Sequence, residues 1–319
     1  MNILVLGAGG FIGTHLVTRL KSQGHTVWGV DLKYPEYSTT DVDHFLIGDL
    51  SDYSTFTHIA DQRFDEVYQL AADMGGALYI FTGDNDSVIM KNNVQINLNL
   101  LKYLKETAQK PRLFYSSSAC IYPLHNQLDS TNPICSEDSA YPANPDSEYG
   151  WEKLFSERLF LTEARNTGLE VRIARYHNVY GPLSTWENDR AKSPAAICRK
   201  VIQSSGEIEI IGTGEQTRSF LYIDDCIDAT IQLTRSNVNF PLNIGSVEMV
   251  SINQLVDVTC SIDRKHLTKI YIQGPTGVNG RTSDNTLISA HLNWVPKFTL
   301  AQGIEKTYNW IKSQIKIVK

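Results

Sequence analysis

The chain opens on "MNILVLGAGGFIG", an apolar run that breaks on glycines and restarts with helical spacing. No other junction limits the possible folds so strongly. Ile3 to Leu6 show no polar alternation, so both faces of that strand must be buried, as inside a parallel sheet. Gly7, Gly10 and Gly13 then permit a tight turn, close approach of an anion to main-chain N–H groups and close packing of the next helix, whose N-terminus attracts negative charge. Comparable apolar runs recur at 26–31, 66–72, 112–118 and 170–176, with helical patterns at about 12–23, 88–109, 147–167 and 193–204. This alternation predicts an α/β fold built on a Rossmann-like, doubly wound parallel sheet.

The last third changes character. Runs shorten, and turn-rich stretches such as "GTGEQTRS", "GSVEM" and "GPTGVNGR" take over, which predicts a smaller C-terminal substrate-binding lobe. Residues 1–175, joined by about 220–240, are expected to form the sheet domain, with 176–219 and 241–319 forming the lobe. The segment "FLYIDDCIDATIQL" (220–233) is expected to return to the sheet.

Charge and cysteine usage narrow the partners. A formal charge of -6 provides no basic face for a phosphate backbone, so nucleic acid is not expected. The start lacks a basic n-region, and no apolar stretch is long enough for a membrane span. Five widely spaced cysteines without a CxxC indicate neither a disulfide framework nor zinc, and imply a reducing cytoplasm and no metal.

Asp31 ends the second apolar run about twenty residues after the glycines, where a carboxylate accepts hydrogen bonds from a ribose 2'-hydroxyl. That position favours NAD over its 2'-phosphorylated form, and Lys33 is then an exposed loop residue. Asp49 in "GDL" is a candidate to reach the adenine, although the same residues suit a helix N-terminal turn. Tyr149 and Lys153 in "YGWEK" are four apart on a predicted helix, so they share one face; an ammonium beside a phenol stabilises the phenolate and lowers its pKa. Such a phenolate serves as a general base.

With the glycine turn, the serine run Ser116–Ser118 and "YGWEK", the chain resembles the extended branch of the short-chain dehydrogenase/reductase superfamily, whose members act on nucleotide sugars. The likeness implies that Ser118 holds a sugar hydroxyl while Tyr149 removes its proton and C4 gives up a hydride to NAD. The cofactor set it implies is Gly7, Gly10, Phe11, Ile12, Gly13, Asp31, Asp49, Leu50, Ala71, Ala72, Tyr149 and Lys153.

"AADMGG", "SSACIYP", "RYHNVYGP", "KSPAAICRK", "QTRSF", "NIGSVEMVS" and "GRTSDN" together resemble the GDP-mannose 3,5-epimerase family. In that family a cysteine and a lysine on opposite sides of the ring act as base and acid, and the matching positions are Cys120 and Lys192. A 4-keto group makes the C3 and C5 hydrogens acidic, so a thiolate with a pKa near or below its free value suffices to remove them. The resemblance also implies a GDP-sugar substrate, with Gly76 near the sugar, Ser118 on a sugar hydroxyl, Asn178, Lys200, Gln216, Arg218 and Arg281 around the nucleotide, and Ser117 and Lys192 completing the substrate set. It implies a homodimer packed through the helices near 88–109 and 147–167; Leu98, Leu101, Leu154 and Leu161 are the apolar candidates, and all four also suit packing on the chain's own sheet. Leu124, Ala191 and a slightly longer segment from Ala77 to Met90 depart from the plant pattern near the sugar. The alternative for the same residues is a C4-epimerase or C4-dehydrogenase of a related GDP-hexose or GDP-heptose.

Overall fold

The computed structural model describes residues 1–188 and 190–317. The first half lays down β1 (Asn2–Leu6), α1 (Phe11–Ser22), β2 (Thr26–Asp31), β3 (His44–Ile47), α2 (Ser54–Thr57), β4 (Glu66–Gln69), α3 (Ala77–Ile80), α4 (Asp86–Glu106), β5 (Arg112–Ser118), α5 (Glu148–Thr167) and β6 (Val171–Tyr176). The second half adds β7 (Val179–Tyr180), α6 (Ser193–Gln203), β8 (Glu207–Ile211), β9 (Thr217–Ser219), β10 (Leu221–Tyr222), α7 (Ile223–Thr234), β11 (Leu242–Ile244), β12 (Met249–Ser251), α8 (Ile252–Ile262), β13 (Thr268–Ile272), β14 (Gly280–Arg281), α9 (Thr286–Leu292) and α10 (Leu300–Ile317).

Seven strands form one parallel sheet in the order β11-β6-β5-β4-β1-β2-β3. The continuous apolar run of β1 is explained by its two faces. Ile3 and Val5 enter the core under α1 and α7, whereas Leu4 and Leu6 enter the core under α4 and α5. The segment 220–233 corrects the sequence expectation: only Leu221 and Tyr222 are extended, pairing with β7, and α7 follows at once. Its apolar residues cover the sheet as a helix, and the added strand comes later, at β11, beyond the 220–240 range assigned to the sheet domain. β3 was not legible in advance because "HFLI" is four residues long and only partly covered.

The smaller lobe consists of the β12-β9-β14 sheet, the parallel pair β8–β13 and helices α6, α8 and α10. Helix ends follow from local chemistry. Ser251 and Gln254 form a capping box on α8, Ser147 caps α5 through the Gly150 N–H, and Gly168 closes α5 in the left-handed conformation at φ 73°. Among the described residues no helix is long and apolar enough to cross a membrane.

Candidate active site

The C-terminal ends of the sheet strands meet the smaller lobe around a cavity of about 400 Å3, where ligands of open α/β sheets bind. Its lining brings together Ile12, Ala72, Gly76, Ser118, Cys120, Tyr149, Lys153, Asn178, Lys192, Lys200, Gln216, Arg218 and Arg281, contributed by both halves of the chain.

At the dinucleotide end, the glycines are set by close approach. Gly7 has φ +87°, and a Cβ there would lie 2.8 Å from Ala71 N; a Cβ on Gly13 would lie 2.0 Å from Gly7 O. At Gly10 the nearest atom to such a Cβ is Gly7 O at 3.3 Å, and no side chain caps α1, which leaves a cradle at the helix N-terminus around Phe11 and Ile12. Asp31 faces this turn from the end of β2 and accepts the Gly9 N–H at 2.9 Å. Burial raises its pKa, and the N–H groups of Lys33 and Gly9 oppose the rise. These residues fit a dinucleotide's pyrophosphate and ribose. Asp49 is exposed and accepts the main-chain N–H and hydroxyl of Ser51, Leu50 is buried beside it, and the Ala71 N–H is held by Gln69 Oε1 at 3.1 Å.

At the other end, β5 runs into a 3-10 turn at Ala119–Ile121, capped by Ser118 Oγ accepting the Cys120 N–H at 3.2 Å. α5 brings Tyr149 and Lys153 onto this turn because residue 150 is glycine: a Cβ there would meet Cys120 O at 2.2 Å. Gly150→Ala is expected to force α5 and the thiol-bearing turn apart, costing about 1–3 kcal/mol by overpacking. Thermal melts compared with turnover check this, with turnover falling even where the protein stays folded.

The resting electrostatics differ from the sequence expectation. Burial pushes the Tyr149 phenol well above its ordinary pKa, the nearby Cys120 and Glu152 charges push the same way, and a hydrogen bond with Ser118 opposes them. Lys153 Nζ lies 5.6 Å from the Tyr149 ring centre and donates to Ser116 O at 3.0 Å. Burial lowers its own pKa, against the pull of Glu152 and Glu157. The expected depression of the phenol is thus outweighed by desolvation. Cys120 likewise departs from a pKa near or below the free value: burial and then Asp146 raise it, against Arg281. Lys192, at the N-cap of α6, is lowered by burial. Gly76 permits close packing against the segment preceding Lys192, since a Cβ there would stand 2.7 Å from Ala191 O.

Two of the candidate residues have their side chains engaged apart from the others. Ser117, expected in the substrate set, borders the cavity, but its side chain is buried with the hydroxyl donating to Glu157, because alternation along β5 turns it away from Ser116 and Ser118. Arg281, expected with the nucleotide group, stands against the reaction end, with Nη1 3.3 Å from Cys120 Sγ. The remaining polar residues are held by main chain: Asn178 donates to Ser219 O at 2.9 Å, Lys200 to Glu209 O at 2.9 Å and Gln216 to Ile211 O at 3.0 Å. Arg218 donates to the carbonyls of Thr217, Thr276 and Val278, and burial, then Arg281, lowers its pKa to about 10.

Sequence reasoning missed Gln127, Asp146, Glu157 and Arg175. Glu157 and Arg175 form a buried two-pronged ion pair, with contacts of 3.0 and 2.9 Å, that ties α5 to β6 beneath the site. Arg175, a charge inside the apolar run "EVRIARY", was an available signal, whereas Gln127 and Asp146 sit in polar stretches that offer none.

A doubly wound sheet with an uncapped glycine turn and a Tyr–Lys helix at one cavity defines a dinucleotide-dependent enzyme class, and the chain belongs to the NAD dependent epimerase/dehydratase family, whose model matches residues 3–245. It is accordingly an NAD-dependent enzyme. Among particular proteins, it is 44% identical over 318 residues to GDP-mannose 3,5-epimerase of Arabidopsis thaliana, covering 99% of this chain and 83% of that one. GDP-mannose 3,5-epimerase 1 of Oryza sativa subsp. indica gives the same identity and coverage. Among solved structures, UDP-glucose 4-epimerase of Thermotoga maritima, crystallised with UDP-glucose, superposes with a TM-score of 0.87 at 25% identity, covering 99% of this chain and 100% of that one.

Proposed function

We propose that the protein is a redox-neutral nucleotide-sugar epimerase that inverts C5 and C3 of GDP-mannose, giving GDP-L-galactose and, where only C5 inverts, GDP-L-gulose. The observation that carries this reading is the pairing of Cys120 with Lys192 in one cavity with Ser118, Tyr149 and Lys153. Bound NAD supplies reversible hydride exchange at C4. Ser118 Oγ orients the 4-hydroxyl, the Lys153 ammonium stabilises the Tyr149 phenolate, and that phenolate takes the hydroxyl proton. With a carbonyl at C4, Cys120 Sγ removes a proton from the neighbouring carbon on one face and Lys192 Nζ delivers one on the other. The dry walls raise the thiol and lower the ammonium, so their proton affinities converge. Convergence suits a pair that must reset on every turnover.

The nucleotide group falls to Asn178, Lys200, Gln216 and Arg218, and Gly76 lies near the ring; the sheet-bearing part of the chain holds the cofactor and the smaller lobe the sugar nucleotide. Incubation with GDP-mannose in heavy water tests the function. Deuterium at C3 and C5 with isomeric products supports it; C4 inversion without exchange favours a C4-epimerase, and net consumption of NAD favours a dehydrogenase.

The working unit is a homodimer. Of the four expected leucines, Leu98 is exposed, while Leu101 and Leu154 are buried and Leu161 packs on the sheet core. Val88, Trp151 and Phe155 join Leu98 as exposed apolar residues on α4 and α5, and these support pairing with a second copy. Phe155→Glu is expected to yield monomers, read by sedimentation; an unchanged mass moves the interface elsewhere.

A further inference from the structure

Arg281 is buried, and three side chains hold its guanidinium. Nε donates to Gln127 Oε1 at 2.6 Å, Nη2 is bound by Asp146, and Nη1 points at Cys120 Sγ at 3.3 Å. The side chains of Asp146 and Gln127 are themselves buried. A lone guanidinium at this distance would stabilise a thiolate strongly, whereas a carboxylate on its far side cancels much of that field. We propose that Asp146 and Gln127 are positioning residues for Cys120, acting through Arg281: they fix one N–H on the sulfur, and the Asp146 charge keeps that sulfur protonated in the resting enzyme.

The resting state then holds a thiol, which gives its proton to solvent before it takes one from carbon as the thiolate. A permanent thiolate would be a weaker base and an easy target for oxidants and alkylating agents. The catalytic meaning of this arrangement rests on the role given to Cys120 above; the arrangement itself does not. Other groups also face the sulfur: Tyr149 and Lys153 from α5, Lys192 from the start of α6 and Arg218 from β9. Of the carboxylates, Asp146 is the one whose charge bears on the Cys120 sulfur.

Alkylation of Cys120 by iodoacetamide in the full-length protein, followed by peptide mass spectrometry across the neutral and alkaline range, reads its protonation directly. Asp146→Asn keeps a carbonyl oxygen to accept Nη2 and removes the charge. The midpoint is expected to fall by about one pH unit, a roughly tenfold faster reaction at neutral pH. An unchanged or raised midpoint in the folded variant overturns the proposal. Where Asp146→Asn fails to fold, Gln127→Glu carries the test with the opposite sign: a second carboxylate on Arg281 raises the midpoint, and no rise overturns the proposal. Deuterium uptake at C3 and C5 is read separately in the same variants. A shifted thiol midpoint with unchanged uptake supports this inference and removes Cys120 from the chemistry.

Discussion

Replacing Cys120 by alanine is expected to abolish deuterium uptake at C3 and C5 of GDP-mannose in heavy water, a loss on the order of 10²–10⁴ for removal of a general base, while oxidation at C4 continues. The two halves are separable because different side chains serve them. Ser118, Tyr149 and Lys153 remain in place when the thiol is removed, since Ser118 caps the 3-10 turn through the main-chain N–H of residue 120 and not through its sulfur. Quenching with borodeuteride should therefore still place deuterium on C4 of substrate trapped as ketone. Cys120→Ser gives the same split, because a hydroxyl of similar size is far too weakly acidic to alternate between base and acid here. Undiminished C3 and C5 exchange in either variant would return Cys120 to a packing role. Its surroundings already argue against one: the other four cysteines are buried, whereas Cys120 is only partly so and lines the cavity.

How much of this was legible depends on whether a contact is local in sequence. The glycine turn and Asp31 lie within one strand–helix–strand unit and the Tyr149–Lys153 pair within one helix, so spacing together with the surrounding pattern brought them forward as candidates. The face taken by Ser117 was not legible in the same way, because β5 is covered on both sides and its apolar run carries no alternation to read. Arg281 is 161 residues from Cys120. Nothing in local pattern says that β14 delivers it to the thiol; that contact depends on β14 pairing with β9. β8 and β13 illustrate the same limit, since their parallel pairing closes across α7, β11 and α8 and each run alone is too short to announce it. The pKa directions were misjudged for one shared reason. Sequence shows which charges can approach a group but not how dry the site is, and at Tyr149 and Cys120 burial is the larger influence.

That dryness shapes the second large effect, at Tyr149. Tyr149→Phe is expected to stop deuterium uptake at C3 and C5 together with the formation of any trappable 4-ketone, a loss on the order of 10²–10⁴, although Cys120 and Lys192 are untouched. Proton exchange at the flanking carbons depends on the carbonyl, so removing the phenol silences both stages where removing the thiol silences one. The pH dependence gives an independent check. Burial holds the phenol's pKa well above its ordinary value, so across neutral pH the phenolate is the minor form and increases tenfold with each unit. C4 oxidation in the parent enzyme should therefore accelerate as pH rises. Because burial also lowers the Lys153 pKa, loss of that ammonium at higher pH should flatten the climb. The residual C4 reaction of Tyr149→Phe should show no such rise, and Lys153→Ala should keep a rise but from a lower rate. A parent rate independent of pH while Tyr149→Phe remains inactive would mean that Tyr149 acts as a neutral hydrogen-bond donor, leaving proton removal from the 4-hydroxyl to Ser118 or bound water.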